Sequence, residues 1–245
     1  MGIIGSDVVA HDRETALMKI AWFTPCQQES SVGRFSSSVA EALAGRNHSI
    51  TLVSSDEHAL IEHLCPPASI ELMHWSRFET DPASAGLFDV FVYNIANRLP
   101  SHFGVLRLID RYPGICIFHD FFLVDLFLGW YPNAVESPPV HSLVASIYGE
   151  MIAKEFWDRI ENLEFQSWLG SHAPMTEWLA RKALAAVAHA PFYEYRLAES
   201  CAGAVRVIPP AYTAPSLVSP RMPAERGDVH ILTSEGTYLF ADRVA

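Results

Sequence analysis

The chain is expected to fold as an α/β domain built on a doubly wound parallel sheet. Three observations predict this. Short apolar runs recur along the chain and alternate with amphipathic segments of helical period. Most of the runs carry no polar alternate residue, as strands covered on both faces require. The stretches between them are long enough for crossover helices, which join parallel strands with right-handed connections.

Residues 18–24 (MKIAWFT) form an apolar run closed by Pro25 and read as the first buried strand. A polar loop over 26–34, containing Gly33, follows. Phe35, Val39 and Leu43 then recur every four residues and predict a helix, with Ser36 as its N-cap and Gly45 as its stop. Residues 50–53 read as a second strand, 58–64 as a short helix ended by Pro66 and Pro67, and 70–73 as a third strand. The run 89–95 (DVFVYNI) is a stronger strand, followed by a helix over 103–110 and by a strand over 115–118 entered through Pro113-Gly114. His119 and Asp120 stand at that strand's carboxyl end. Residues 140–168 are expected to be mainly helical, 175–184 a further helix, and 185–188 a weak strand. Pro191 suits the first turn of a helix reaching about residue 199, and 205–208 form a last strand before Pro209-Pro210. The resulting division is an extension over 1–17, the α/β domain over 18–212, a proline-bearing linker over 213–228 and a terminal piece over 229–245. The linker is read from its prolines and its few large apolar groups. No internal repeat or low-complexity segment is evident.

Composition narrows the partners. Of 245 residues, 50% are hydrophobic and 18% charged, which is a globular balance rather than a disordered one. The formal net charge of −11 offers no basic field for nucleic acid or anionic lipid, so neither is expected as a partner. No apolar run reaches the roughly 18 residues that suggest a membrane-spanning helix, and the first residues lack the pattern of a secretory signal. Cys26, Cys65, Cys116 and Cys201 are widely spaced, which argues against a zinc site or a disulfide framework and makes a reducing, cytoplasmic setting the expectation. There is no GxGxxG after the first strand, no GxxxxGK[ST] and no GxSxG, so dinucleotide, P-loop and hydrolase-elbow chemistry all lack their main sequence support.

In an open α/β sheet, ligands bind beyond the carboxyl ends of the strands. That rule singles out the loops 25–34, 94–102, 119–123 and 189–191. Asn97 offers donors and acceptors of the kind sugar hydroxyls need, and His102 titrates near neutrality. The alternative is that Asn97 stabilises a turn and His102 caps a helix. His119, placed where a buried strand ends, faces the ligand rim or is a satisfied, partly buried histidine. Asp120 could hold an imidazole, accept from a hydroxyl or cap the next helix. The aromatic stretch 121–131 reads as core packing ahead of an apolar wall for a lipid-linked acceptor. Glu150, Glu155, Asp158, Glu161 and Glu164 are interleaved with Lys154 and Arg159 and read as a solvated helix face rather than an acid–base pair.

These stretches, in their order, resemble the N-terminal domain of the family-four (group 1) glycosyltransferases. MKIAWFTP and SSVAEALAGRNHSITLVS are similar to that family's opening strand, helix and second strand. DVFVYNIANRLPSHFGVLRLIDRYPGICIFHDFFL is similar to its middle, where an aspartate-led strand precedes an Asn, a His, a Pro-Gly and a strand ending in His-Asp. ALAAVAHAPFYEYRLAES and AVRVIPPAY are similar to the pieces that close the domain. The resemblance covers about residues 18–212. It implies a GT-B arrangement of two facing Rossmann-like domains, with the acceptor bound on the N-terminal side, a nucleotide sugar as donor substrate rather than a cofactor, and normally no metal. It implies retaining transfer to a saccharide or lipid-linked acceptor, as in polysaccharide biosynthesis, in the cytoplasm or peripheral at the inner face of the membrane. His119 would reach the transferred sugar, Asn97, His102 and Asp120 would line the acceptor pocket, and Gly33 would let the first loop approach the donor.

Two departures from the family stand out. Ser31-Val32-Gly33 occupies the place of a frequent Gly-Gly. The end, HILTSEGTYLFADRVA, starts like the first strand of a donor domain but lacks its Gly-Lys pattern. The expectation is therefore a truncated chain whose donor domain is largely missing, incomplete alone or completed by a separately encoded C-terminal domain. The competing expectation is a non-catalytic module that binds carbohydrate or depends on a partner.

Overall fold

The structure, a computed structural model, describes residues 17–59, 66–160, 165–210, 229–233 and 236–240. The first strand, β1 (Lys19–Thr24), leads through a loop into α1 (Ser31–Ala44), β2 (Ser49–Ser54) and β3 (Glu71–His74). A one-turn helix α2 (Arg77–Thr80) and a 3₁₀ turn (Pro82–Leu87) precede β4 (Val90–Ile95), α3 (Leu99–Leu108) and β5 (Ile115–Phe118). Helices α4 (Val124–Trp130), α5 (Pro138–Tyr148), α6 (Glu150–Arg159), α7 (Phe165–His172) and α8 (Thr176–Ala180) follow before β6 (Ala185–Ala188), α9 (Glu194–Ser200) and β7 (Val205–Val207). The seven strands β1 to β7 form one sheet in the order β3-β2-β1-β4-β5-β6-β7, and every pair is parallel. This is the Rossmann-like, doubly wound architecture that the alternating pattern predicts.

Alternate residues along the strands feed two cores. Ala21, Phe23, Tyr93, Ile95, Cys116 and Phe118 point into the larger one, shared with α3, α4, α8 and α9. Ile20, Trp22, Ile50, Leu52, Val92 and Ile117 point to the other face, where α1 lays Phe35, Val39, Ala40 and Leu43 on them. Burial on both faces is the reason for the near-continuous apolar runs.

The helices begin earlier than periodicity implies. The N-cap of α1 is Ser30, whose Oγ accepts from the Gly33 amide at 3.0 Å, and not Ser36. Ser36 lies inside the helix, buried, and its Oγ accepts from the Thr24 hydroxyl at 2.7 Å, which ties α1 to the end of β1. Gly33 therefore sits in the first turn of α1 rather than in the preceding loop. Gly45 does follow α1, but in right-handed geometry; the left-handed residue of that turn is Asn47 (φ 69°). α3 starts at Leu99, with Pro100 in its first turn, and so takes His102 into its body, at a local kink (φ −122°, ψ 15°). The expected long helix over 140–168 is divided by Gly149, whose φ of 84° ends α5 and starts α6. The helix expected over 175–184 is short, confined to α8, because Met175 is left-handed (φ 64°) and the chain turns from Arg181 into β6.

Beyond the sheet, β8 (Val229–Thr233) and β9 (Gly236–Phe240) pair antiparallel, with Val229 opposite Phe240. Within the terminal piece, these two strands form their own two-stranded sheet. Two five-residue runs separated by two residues have hairpin spacing. All but residue 17 of the extension expected over 1–17, most of the helix expected over 58–64 and the linker expected over 213–228 lie outside the described residues. No helix among the described residues is long and apolar enough to cross a membrane.

Candidate functional site

The strand order reverses between β1 and β4, and the chain leaves these neighbouring strands on opposite faces. The carboxyl rim at such a switch point is where an open α/β sheet leaves a crevice. Here the crevice is a cleft of about 1150 Å³ lined from all four loops that the sequence singles out. Pro25, Gln27, Glu29 to Val32 and Arg34 come from the β1–α1 segment, Asn97 and Arg98 from the β4–α3 loop, His119 to Phe122 from the end of β5, and His189 from the end of β6.

Buried polar contacts hold these loops. The Asp56 carboxylate accepts from the Cys26 amide at 2.7 Å and from the Ser54 hydroxyl at 2.9 Å, which pins the start of the first loop. Burial pushes the Asp56 carboxyl up, and the same burial, with Asp56 nearby, pushes the Cys26 thiol up to about 12. That thiol is therefore inert as a nucleophile at neutral pH. Cys26, Cys116 and Cys201 are all free thiols and buried; Cys65 lies outside the described residues.

His119 follows β5, and its amide extends the parallel ladder by donating to the Ile95 carbonyl at 2.9 Å. Its ring lies against Asn94 and His189: Nε2 is 2.9 Å from Asn94 Oδ1, and Nδ1 is 3.2 Å from His189 Nε2. His189 Nδ1 is in turn 2.8 Å from the Ile208 carbonyl. The Phe35 ring meets both imidazoles nearly at right angles, with centroids 4.9 Å and 5.5 Å away. Burial first, then His189 and His102, push the His119 imidazole down to about 3, so the ring resists taking a second proton.

The three candidates for the acceptor side, and Gly33 on the donor side, separate. Asn97 is a clamp: its amide nitrogen Nδ2 donates to Asp125 at 2.7 Å, its Oδ1 accepts from the Leu126 amide at 2.9 Å, and its main-chain amide donates to Asp120 at 2.8 Å. The Asp120 carboxylate thus closes the β4 and β5 loops onto each other at the cleft wall. His102 touches the cleft but is 1% exposed, and its Nδ1 has no hydrogen-bond partner. Burial pushes that imidazole down to about 4. Gly33 is capped by Ser30 and is set behind Ser31 and Val32, which do line the cleft.

The aromatic stretch after Asp120 is chiefly core, as expected. Phe127 is fully buried and Trp130 and Tyr131 pack against the larger core, while Phe121 and Phe122 reach the cleft wall. Glu150 and Asp158 are exposed and Glu155 pairs with Arg159 at 3.3 Å, so this part of the acidic helix face is solvated; Glu161 and Glu164 lie outside the described residues.

Sequence reasoning did not single out Asn94, His189, Arg34 or Arg98. A signal existed for two of them. Asn94 is the polar residue inside an otherwise apolar run, and His189 follows AAVA as His119 follows ICIF, one strand later. Among the described residues no group of three or more His, Cys, Asp and Glu side chains is arranged to hold a metal ion. Compared with family models, with curated proteins and with solved structures, the chain has no match.

Proposed function

We propose that this chain is the acceptor-side domain of a retaining glycosyltransferase of the GT-B type, similar to family four, acting on a nucleotide sugar and a saccharide or lipid-linked acceptor. The observation that carries the reading is the position of His119. It stands at the carboxyl end of β5, on the wall of the cleft that opens at the switch point, together with Asn97, Asp120 and the N-terminal turn of α1.

The chemistry suits that reading. Glycosyl transfer needs an acceptor hydroxyl held close to the anomeric carbon, and charge stabilisation for the departing phosphate as the sugar becomes oxocarbenium-like. The cleft offers hydroxyl, amide and carboxylate groups from Ser30, Ser38, Gln27 and Asp125, which can both donate to and accept from sugar hydroxyls. Arg34 and Arg98 add fixed positive charge at its edge, and α1 opens onto it with the positive end of its dipole. Phe35, Phe121 and Phe122 supply apolar surface for a sugar face. His119, kept from a second proton and held at both ring nitrogens by Asn94 and His189, would shape the sugar pocket as a neutral ring rather than as an additional cation.

The test is binding followed by transfer. Saccharide acceptors and nucleotide sugars are titrated into the 15N-labelled chain, with amide shifts mapped, and transfer is assayed with a GT-B donor domain present and absent. The expected result is weak saccharide binding that maps to the β1, β4 and β5 loops. Transfer supported by the donor domain should fall by about 10²–10³-fold in His119→Ala. Saccharide binding with no transfer under any pairing would favour a carbohydrate-binding module. Shifts confined to other surfaces would remove both readings.

A further inference from the structure

The contacts around His119 and His189 impose a proton count. The Asn94 amide is oriented by its Nδ2, which donates to the Phe23 carbonyl at 2.8 Å, so Oδ1 is the atom that faces His119 Nε2. An acceptor there requires a proton on His119 Nε2. At the other end, the Ile208 carbonyl 2.8 Å from His189 Nδ1 requires a proton on that nitrogen. Between the rings, the contact of His119 Nδ1 with His189 Nε2 at 3.2 Å requires one proton and one lone pair. Four ring nitrogens thus carry three protons, whereas two neutral imidazoles carry two.

We propose that His189 is a positioning residue for His119, and that the two imidazoles together hold three ring protons, so that the cleft wall carries one positive charge. With His119 resisting a second proton, the count resolves in one way. His119 is a neutral ring protonated on Nε2, its Nδ1 lone pair accepts from His189 Nε2–H, and the excess proton lies on the His189 side. Asn94 sets the tautomer of His119, and His189 holds its Nδ1 lone pair and thereby the plane of the ring. Losing the third proton would break one of the three contacts and free His119 to turn.

The charged and titratable groups around the pair come from every neighbouring element. His102 faces His119 from α3, and Arg98 lies near His102 at the start of that helix. Arg34 of α1, Glu29 of the first loop, Asp120 after β5 and Asp125 of α4 line the same cleft. The Tyr193 hydroxyl accepts from the His189 main-chain amide at 2.7 Å and donates to the Phe118 carbonyl at 3.0 Å, which holds the His189 backbone against the end of β5. Phe35 closes the apolar side of both rings.

The significance for catalysis rests on the glycosyltransferase reading, but the proton count does not. The test uses the full chain labelled with 15N at histidine and records long-range 1H–15N spectra of the ring nitrogens between pH 5.5 and about 9. Assignment comes from His119→Gln and His189→Gln. At neutral pH the expected pattern is His119 neutral with Nε2 protonated, and His189 protonated on both nitrogens. In His189→Gln the side-chain amide can still donate to His119 Nδ1, so the His119 Nδ1 resonance should stay that of a hydrogen-bonded lone pair. In His189→Leu that resonance should move to that of an unbonded ring nitrogen, with Nε2 still protonated against Asn94. Two neutral rings throughout, or a His119 Nδ1 resonance indifferent to His189→Leu, would overturn the proposal. Three protons found in a chain that neither binds saccharide nor supports transfer would leave the pair standing and remove the glycosyltransferase reading instead.

Discussion

The side-chain amide of Asn94 in β4 donates to the Phe23 carbonyl in β1 at 2.8 Å, and its oxygen meets the His119 ring at the end of β5 at 2.9 Å. One fully buried side chain thus links three adjacent strands at the switch point. Replacing it with the similarly sized Asn94→Leu leaves His119 Nε2–H without an acceptor in a buried setting. The expected cost is about 1–3 kcal/mol. Urea unfolding measures it, and a midpoint equal to that of the parent would show that the amide does not support the fold.

Acid should loosen the domain through His102. Its folded value lies down near 4 against an ordinary 6.5, because burial penalises the charged ring. A depressed value means that the unfolded chain binds the proton first. The contribution is complete above about 6.5, declines as pH falls below that, and is exhausted near 4. For a side chain 1% exposed, the span is on the order of 3 kcal/mol. Asp56, pushed up by burial, acts with the opposite sign, so the comparison that isolates His102 is parent against His102→Gln. The parent should lose stability more steeply between pH 6.5 and 4; parallel profiles would contradict the assignment.

Glu177 ties α8 to α5 and α9. It accepts from the Tyr148 hydroxyl at 2.5 Å and from Arg196 at 2.8 Å, with side-chain exposures of 9% for Glu177 and 17% for Arg196. Glu177→Ala leaves the half-buried guanidinium without its counter-charge, with only the Ser171 carbonyl and the Tyr195 hydroxyl still accepting from it, and the Tyr148 phenol without its acceptor, for an expected loss of roughly 3 kcal/mol. Tyr148→Phe removes the donor to Glu177 and the acceptor of the Met175 amide, both neutral groups on its side, and should cost less, about 1–2 kcal/mol. Calorimetric melting of the two variants should rank them in that order.

Two glycines should respond oppositely to the same substitution. A Cβ on Gly104 in α3 would stand 2.4 Å from Trp75 Cγ. The indole cannot easily give way, because its Nε1 donates to the Asp56 carbonyl at 2.8 Å and it packs on Phe103. Gly104→Ala is expected to lose about 1–3 kcal/mol. Gly170 in α7 meets nothing within 4 Å, and Gly170→Ala should gain up to about 1 kcal/mol from helix propensity. Equal shifts for the pair in urea titrations would contradict the packing of α3 on Trp75.

Much of the fold was legible because it follows from local rules. The run ICIF of β5 and the run AAVA of β6 begin and end where composition places them. The four rim loops follow from knowing where parallel strands end. Helix starts were less legible. Ser36 fits a cap as well as Ser30 does, and only the approach of Thr24 to Ser36 shows that Ser36 is already inside α1. Leu99 and Pro100 opened α3 ahead of the periodic residues, carrying His102 from an expected cap into a buried kink.

The sequence by itself determined the strand-and-helix alternation, the carboxyl-end rim and the place of His119 on it, because a strand's length and apolar pattern are written in consecutive residues. Only the tertiary structure decided which groups meet there. Asn94 and His119 are 25 residues apart, and His119 and His189 are 70. Their contact depends on β4, β5 and β6 being neighbours in parallel register, with Ile95 beside Phe118 and Phe118 beside Ala188. That register is set by packing across two cores rather than by any local spacing, so the paired imidazoles become visible only once the sheet is assembled.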